Sequence, residues 1–150
     1  MAGVICLSLN SGSNGNCVYV EAEGVGLLLD AGLSASQTAR RLTASGGVSA
    51  RVRALIVSHD HADHVRCAGV LARRFNLPVY MTAGTLAAAA GWGVGEIERL
   101  RVFAPGERLR FGPLTVETHP TPHDAAEPVA FVVAAGKRRL GILTDLGCVF

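Results

Sequence analysis

The chain has 150 residues, 49% hydrophobic and 17% charged, with a formal net charge of +2. That length supports one modest domain with a real core, and that composition excludes a disordered chain. So small a charge is no nucleic-acid signature by itself. No apolar run reaches the roughly 18–20 residues of a membrane span.

The N-terminus, MAGVICLSLNSGSNG, has no basic leader region and no cleavage pattern. It is expected to form a first strand in a cytoplasmic protein. Of the fourteen basic residues thirteen are arginine, and the pairs Arg40-Arg41, Arg73-Arg74 and Arg138-Arg139 are expected at solvated helix and turn positions. The four cysteines, Cys6, Cys17, Cys67 and Cys148, form no C-x-x-C pair. They are expected to be ordinary buried thiols of a reducing compartment, with Cys148 notable for lying near a candidate ligand, Asp145.

VICLSLN and CVYVEAE are β-rich runs separated by the turn-rich SGSNGN, and residues 17–30 read as a hairpin. SASQTARRLTASGG reads as a helix, capped by Ser34 or Ser36 and ended by Gly46-Gly47. RALIVSH is apolar without alternation, the pattern of a strand buried on both faces. One helix is expected over about 64–75, with Val65, Ala68, Ala72 and Phe75 on one face. LPVYM is a short strand and 83–90 a helix. From about residue 100 the pattern is all β: RVFA, ERLRF, LTVETHP, PVAFVVAA and RRLGILTD. Strands, then αβ units, then strands fit an α/β sandwich with helices outside the sheets.

Chemistry concentrates at SHDHADHV, which holds three of the five histidines and two of the five aspartates. His59 and His61, two apart in a loop leaving a strand, can converge on one metal. Asp63 and His64 are adjacent at the start of the next helix and can hold a second. Imidazole and carboxylate suit zinc, and manganese or iron as well. His119 and His123, in the Pro-rich ETHPTPHDAAEP, are both candidates to complete a His₃ set, and the residues alone leave that choice open. Asp145 ends a buried apolar strand, where a carboxylate needs a partner or a cation. Asp30, in LLLDAG, is placed similarly, and supporting a ligating histidine is its expected role. The backbone N–H groups of SGSNGN, with Ser11, Ser13 and Asn14, suit a phosphate contact; an ordinary hairpin loop is the alternative.

The order His59-x-His61-x-Asp63-His64, then His123, then Asp145, resembles the metallo-β-lactamase fold superfamily. SGSNGNCVYVE, LLLDAGLS, SHDHADHV, GVLARRFNLPVY, PHDAAEPVAF and GILTDLG are similar in order to its YycJ/WalJ branch. The resemblance runs from about residue 4 to 147 and implies an αββα sandwich. It also implies that His123 completes the first site with His59 and His61, leaving His119 a bystander. Asp63 and His64 would bind the second ion and Asp145 would bridge both, with Asp63 and Asp145 as catalytic carboxylates. Asp30 matches the superfamily's early strand-end aspartate. The implied cofactors are two divalent ions, zinc or manganese and alternatively iron. The branch implies a DNA-directed phosphodiesterase, in particular a 5′-to-3′ exonuclease on duplex DNA. Two cations ~3.5–4 Å apart would supply hydroxide for in-line attack on phosphorus.

The pattern departs from the superfamily at its end. The last ligand histidine lies further downstream in the family, and no histidine follows His123. Residues 1–150 are therefore expected to be a single domain, incomplete at the C-terminus. The apolar faces of strands at 114–118, 128–134 and 139–144 would then be exposed, inviting homo-oligomers. Two other functions are compatible with the ligands: hydrolysis of an acyl substrate such as a lactam or thioester, and a catalytically inactive metal-binding fragment. A redox di-iron site fits less well, because such sites replace the motif's second histidine and His61 is intact.

Overall fold

The unbroken apolar run after residue 52 is covered on both sides, and the fold is layered around it. A computed structural model of the chain describes residues 3–147. Six strands make the first sheet: β1 (Val4–Asn10), β2 (Cys17–Ala22), β3 (Val25–Leu29), β4 (Val52–Ile56), β5 (Val79–Thr82) and β6 (Leu100–Phe103), in that spatial order. The first three are antiparallel neighbours, and β3 to β6 run parallel. Four antiparallel strands make the second sheet, in the order β10-β9-β8-β7: β7 (Arg108–Phe111), β8 (Leu114–Pro120), β9 (Val129–Ala135) and β10 (Arg138–Ile142).

Alternation along each strand divides the apolar residues between two cores. Leu27, Leu29, Ala54 and Ile56 pack between the sheets against Leu114, Val116, Phe131 and Val133. Leu28, Leu55 and Val57 point the other way, against Leu42, Val65, Ala68 and Leu71 of the helical layer. No helix among the described residues is long and apolar enough to cross a membrane.

Helix α1 (Ala35–Ala44) starts at Ser34, whose hydroxyl accepts the Gln37 amide at 3.3 Å. Gly46 turns its end at φ +86°. Thr82 caps α4 (Ala83–Ala89) in the same way. The single helix expected over 64–75 is instead two, α2 (Ala62–Val65) and α3 (Ala68–Phe75). The break has a long-range cause. The Asp63 carbonyl accepts the Asn16 amide at 2.7 Å, and the His64 carbonyl accepts the Ala31 amide at 2.6 Å. Cys67 N–H therefore has no acceptor four residues back and donates to Ala31 O at 2.9 Å.

β6 is a strand as expected and pairs with β5 at the edge of the first sheet. Other expectations are corrected. Two of the three strands expected to expose apolar faces bury them against the first sheet: in β8 and β9, Leu114, Val116 and Val133 are fully buried and Phe131 is 2% exposed, whereas in the stretch 139–144 Leu143 is 59% exposed, as expected. The opposite face of β8 and β9 carries Thr115, Glu117, Ala130, Val132 and Ala134, with Arg108 and Arg139 paired to Glu117. Cys6 is exposed on the edge strand β1, whereas Cys17 is buried and Cys67 half-buried. Cys148 lies outside the described residues. Nor are all the paired arginines free: Arg41 donates to Leu9 O and Asn10 Oδ1, and Arg73 to Glu96 O.

Phe131 fills the space between the sheets, so Phe131→Ala is expected to cost about 3–5 kcal/mol of unfolding free energy. Leu143→Ala, at a site 59% exposed, is expected to stay within about 0.5 kcal/mol. Urea denaturation followed by circular dichroism measures both.

Candidate metal centre

β3 and β4 are parallel neighbours, with Leu29 opposite Ile56. The residues that follow them, Asp30 and the segment from Val57 to His61, therefore leave the sheet at one edge. This carboxyl end of parallel strands is where open α/β sheets place their sites. Asp30 takes a left-handed conformation at φ +68°, and its amide donates to Ile56 O at 2.8 Å. Its carboxylate turns into the protein, 3% exposed.

Three donors meet that carboxylate. Ser58 N–H donates to Oδ1 at 2.7 Å, Ser58 O–H to Oδ2 at 2.9 Å, and His64 Nδ1 lies 2.7 Å from Oδ2. A carboxylate only accepts, so His64 carries its proton on Nδ1. The Ser58 proton goes to Asp30, so Ser58 Oγ accepts from His59 Nδ1, 2.9 Å away. One buried aspartate thus fixes two imidazoles with Nε2 turned inward. His59 Nε2 is buried without a hydrogen-bond partner among the described residues.

His61 is fixed from the other side. Its Nε2 lies 2.9 Å from the carbonyl oxygen of Asp124, which can only accept, so Nδ1 keeps the lone pair. That Nδ1 faces His123 Nε2 at 3.2 Å. Two nitrogens bound tetrahedrally to one zinc at ~2.0–2.1 Å lie about 3.3 Å apart. The ring centroids of His59, His61 and His123 are 4.6–4.8 Å from one another.

The loop that carries His123 is held at both ends. Thr121 N–H donates to Pro128 O at 3.2 Å, Asp60 Oδ1 accepts the Ala126 amide at 2.8 Å, and Glu127 Oε2 accepts the Gly84 amide at 2.9 Å. Asp60 thus ties the histidine motif to the His123 loop. The Asp124 carboxylate is 89% exposed and lies 3.1 Å from His123 Nδ1 in a geometry that makes no hydrogen bond.

A second group forms around His64. Its Nε2 lies 2.7 Å from Asp145 Oδ2 and 3.5 Å from Asp63 Oδ2, and Asp145 Oδ2 is 3.4 Å from His59 Nε2. Asp145 is left-handed at φ +52°, and the following chain is tied back by Gly147 N–H to Pro122 O at 2.8 Å. The Asn16 side-chain amide donates to Asp63 Oδ2 at 3.0 Å and lies 3.1 Å from His64 Nε2. Two sets of potential ligands result, His59–His61–His123 and His59–His64–Asp145, with His59 in both.

The electrostatics of the two central imidazoles differ. Burial, with His64, His123 and His61 nearby, lowers the His59 pKa to about 4 against the pull of Asp30. Its Nε2 therefore presents a lone pair at neutral pH. Burial also opposes charge on His64, but the Asp30 hydrogen bond and the carboxylates of Asp30, Asp63 and Asp145 outweigh it and raise the pKa. An orphaned buried nitrogen, a second pair of converging nitrogens and a neighbouring carboxylate set suit divalent cations.

The structure brings His59, His61, Asp63, His64, His123 and Asp145 together and leaves His119 outside. His119 is on the outer side of β8, 56% exposed, 3.8 Å from Glu117 Oε2. A cavity of about 450 Å³ opens on the cluster, lined by Asp63, Thr144, Asp145 and Leu143 and by Ser11, Gly12, Ser13 and Asn16 of the β1–β2 loop. Of the three residues singled out in that loop, Ser11 and Ser13 face the cavity. Asn14 does not: its carbonyl accepts from Arg66 at 3.0 Å, and Asn16 takes its place. Asn16 and Ser58 were missed by sequence reasoning. Ser58, a hydroxyl ending an apolar strand, carried one usable signal, because a polar group buried there needs a partner.

Residues 11–149 match the family model of the metallo-beta-lactamase superfamily. The chain is 37% identical over 143 residues to the exodeoxyribonuclease YycJ of Bacillus anthracis, covering 94% of this chain and 54% of that protein. It is 31% identical over 144 residues to the exodeoxyribonuclease WalJ of Streptococcus pneumoniae, with the same coverages. The chain thus spans about half the length of these relatives. Among solved structures it superposes on the Rm3 metallo-beta-lactamase with a TM-score of 0.73 at 23% identity, over 91% of this chain and 59% of that one. That likeness shows the fold. Fold and sequence agree that the chain belongs to the metallo-beta-lactamase superfamily.

Proposed function

We propose that the protein is a two-metal phosphodiesterase that degrades DNA as a 5′-to-3′ exonuclease. The observation that carries the reading is the convergence of His59, His61 and His123 beside His64 and Asp145. The exodeoxyribonuclease relatives supply the substrate class. DNA as substrate fits a cytoplasmic protein.

In this reading His59, His61 and His123 hold one divalent ion. Asp63 and His64 hold the other, and Asp145 serves both. The ions are zinc or manganese, with iron as a third candidate. Such ions lower the pKa of water and offset charge on a phosphoryl group. The chain's own residues do the positioning. Asp30 keeps the Nε2 atoms of His59 and His64 turned inward. Asn16 holds the Asp63 carboxylate at 3.0 Å. Asp63 and Asp145, both at the cavity wall, orient an incoming water and can take its proton. Asp60 and Glu127 hold the loop that brings His123 to His61.

Incubated with manganese or zinc and with duplex DNA labelled at one 5′ end, the protein is expected to release the label as a mononucleotide early in the reaction. Shortening from the 3′ end, or faster hydrolysis of a β-lactam or thioester, would overturn the reading. His61→Ala is expected to lower hydrolysis by at least about a thousandfold, whereas His119→Ala stays within about twofold. Equal losses would place the wrong histidine in the site. Removing the Asp30 carboxylate leaves the metal-facing atoms of His59 and His64 unfixed. Asp30→Ala is therefore expected to weaken zinc binding roughly 10–100-fold, which competition with a chromogenic chelator measures.

A further inference from the structure

The loop between β1 and β2 is exposed at its tip and yet extensively tied down. Asn16 bonds it from within: its Oδ1 accepts the Gly12 amide at 3.1 Å, and its Nδ2 donates to Gly12 O at 3.0 Å. Gly15 N–H donates to Gly12 O at 3.0 Å, and Asn10 Nδ2 donates to Gly15 O. Asn16 N–H donates to Asp63 O at 2.7 Å and Gly32 N–H to Asn16 O at 2.9 Å, so the loop is fastened to the segment that carries Asp63 and His64. Gly15 and Gly32 allow this approach. A Cβ on Gly32 would collide with Asp63 O and Asn16 N, and one on Gly15 with Gly32 O.

Two arginines brace the loop from outside. Arg41 donates to Leu9 O at 2.9 Å and Asn10 Oδ1 at 2.7 Å, and Arg66 to Asn14 O at 3.0 Å and Gly32 O at 3.3 Å. The result is a fixed platform with two guanidinium charges close by. Ser11 and Ser13 stand on it, exposed, lining the same cavity as Asp63 and Asp145. No other described residue hydrogen-bonds either hydroxyl. A strand connection built for turning the chain alone needs neither this bracing nor two unpaired hydroxyls lining a cavity with Asp63 and Asp145.

We infer that this loop is a phosphate subsite: the Ser11 and Ser13 hydroxyls donate to non-bridging oxygens of a DNA backbone phosphate next to the one being cleaved. The inference rests on the nuclease reading and adds to it where the strand lies, along the β1–β2 loop. Hydroxyl donors suit an oxyanion, and a rigid loop loses little freedom when one binds. Asn14, which does not line the cavity and whose carbonyl is engaged by Arg66, takes no part.

The test is equilibrium binding, read without turnover. A fluorescent duplex with phosphorothioate linkages at the end is titrated with manganese-loaded protein, and anisotropy is recorded. The double variant Ser11→Ala, Ser13→Ala is expected to bind about tenfold more weakly, with bound manganese and circular dichroism unchanged. Ser11→Thr with Ser13→Thr, which keeps both hydroxyls, is expected to bind within about threefold of the parent. A matched duplex with one neutral methylphosphonate next to the terminal linkage is expected to erase the difference between parent and alanine variant. Equal binding by parent and alanine variant to the charged duplex overturns the subsite and leaves the nuclease reading standing. No binding of DNA by the parent overturns both.

Discussion

Much of the site depends on one buried carboxylate. Asp30 accepts from Ser58 twice and from His64 once, and through Ser58 it sets His59 as well. A carboxylate 3% exposed is costly unless it is fully hydrogen-bonded. Its three donors meet that cost, and the arrangement leaves Nε2 of both imidazoles directed at one space. The left-handed backbone of Asp30 is part of the same constraint, because it turns the chain so that the carboxylate reaches back to the end of β4.

The backbone around the site is committed in a similar way. The carbonyls of Asp63 and His64 serve the amides of Asn16 and Ala31 rather than the next turn of helix. Helix α2 stays short for that reason, and Asp63 and His64 are held by the β1–β2 loop and the end of β3 together. The second sheet contributes His123 through packing. Its inner face is buried against the first sheet, and the loop at its end is pinned by Asp60 and Glu127. Residues from five separate stretches of chain therefore meet with no long helix or disulfide among the described residues to align them.

Much of this was legible in the sequence, and the part that was not has a physical reason. The unalternating run after Arg53 gave a strand buried on both faces, and Ser34 announced α1. The order of the ligand motifs is that of the superfamily. The residues alone left His119 and His123 open, yet the register of β8 separates them. Leu114, Val116 and Thr118 are buried, so His119 falls on the outer face and only a residue past the strand can turn inward. The split between α2 and α3 was hidden because its cause lies in acceptors claimed by Asn16 and Ala31. Ser58 and Asn16 were hidden for the same reason, since their partners are 28 and 47 residues away. The expected exposure failed for β8 and β9, because alternation gave them one inner face that the first sheet covers, and held just past the end of β10, where Leu143 is exposed.

The central claim is that four histidines present particular nitrogens to metal: Nε2 of His59, His64 and His123, but Nδ1 of His61. Nitrogen NMR of ¹⁵N-labelled protein loaded with ¹¹³Cd tests this directly, because a bound ring nitrogen shows one-bond coupling to cadmium. The account predicts coupling at Nδ1 for His61, at Nε2 for the other three, and none for His119. Coupling at Nε2 of His61, or the absence of coupling at His59, would contradict it.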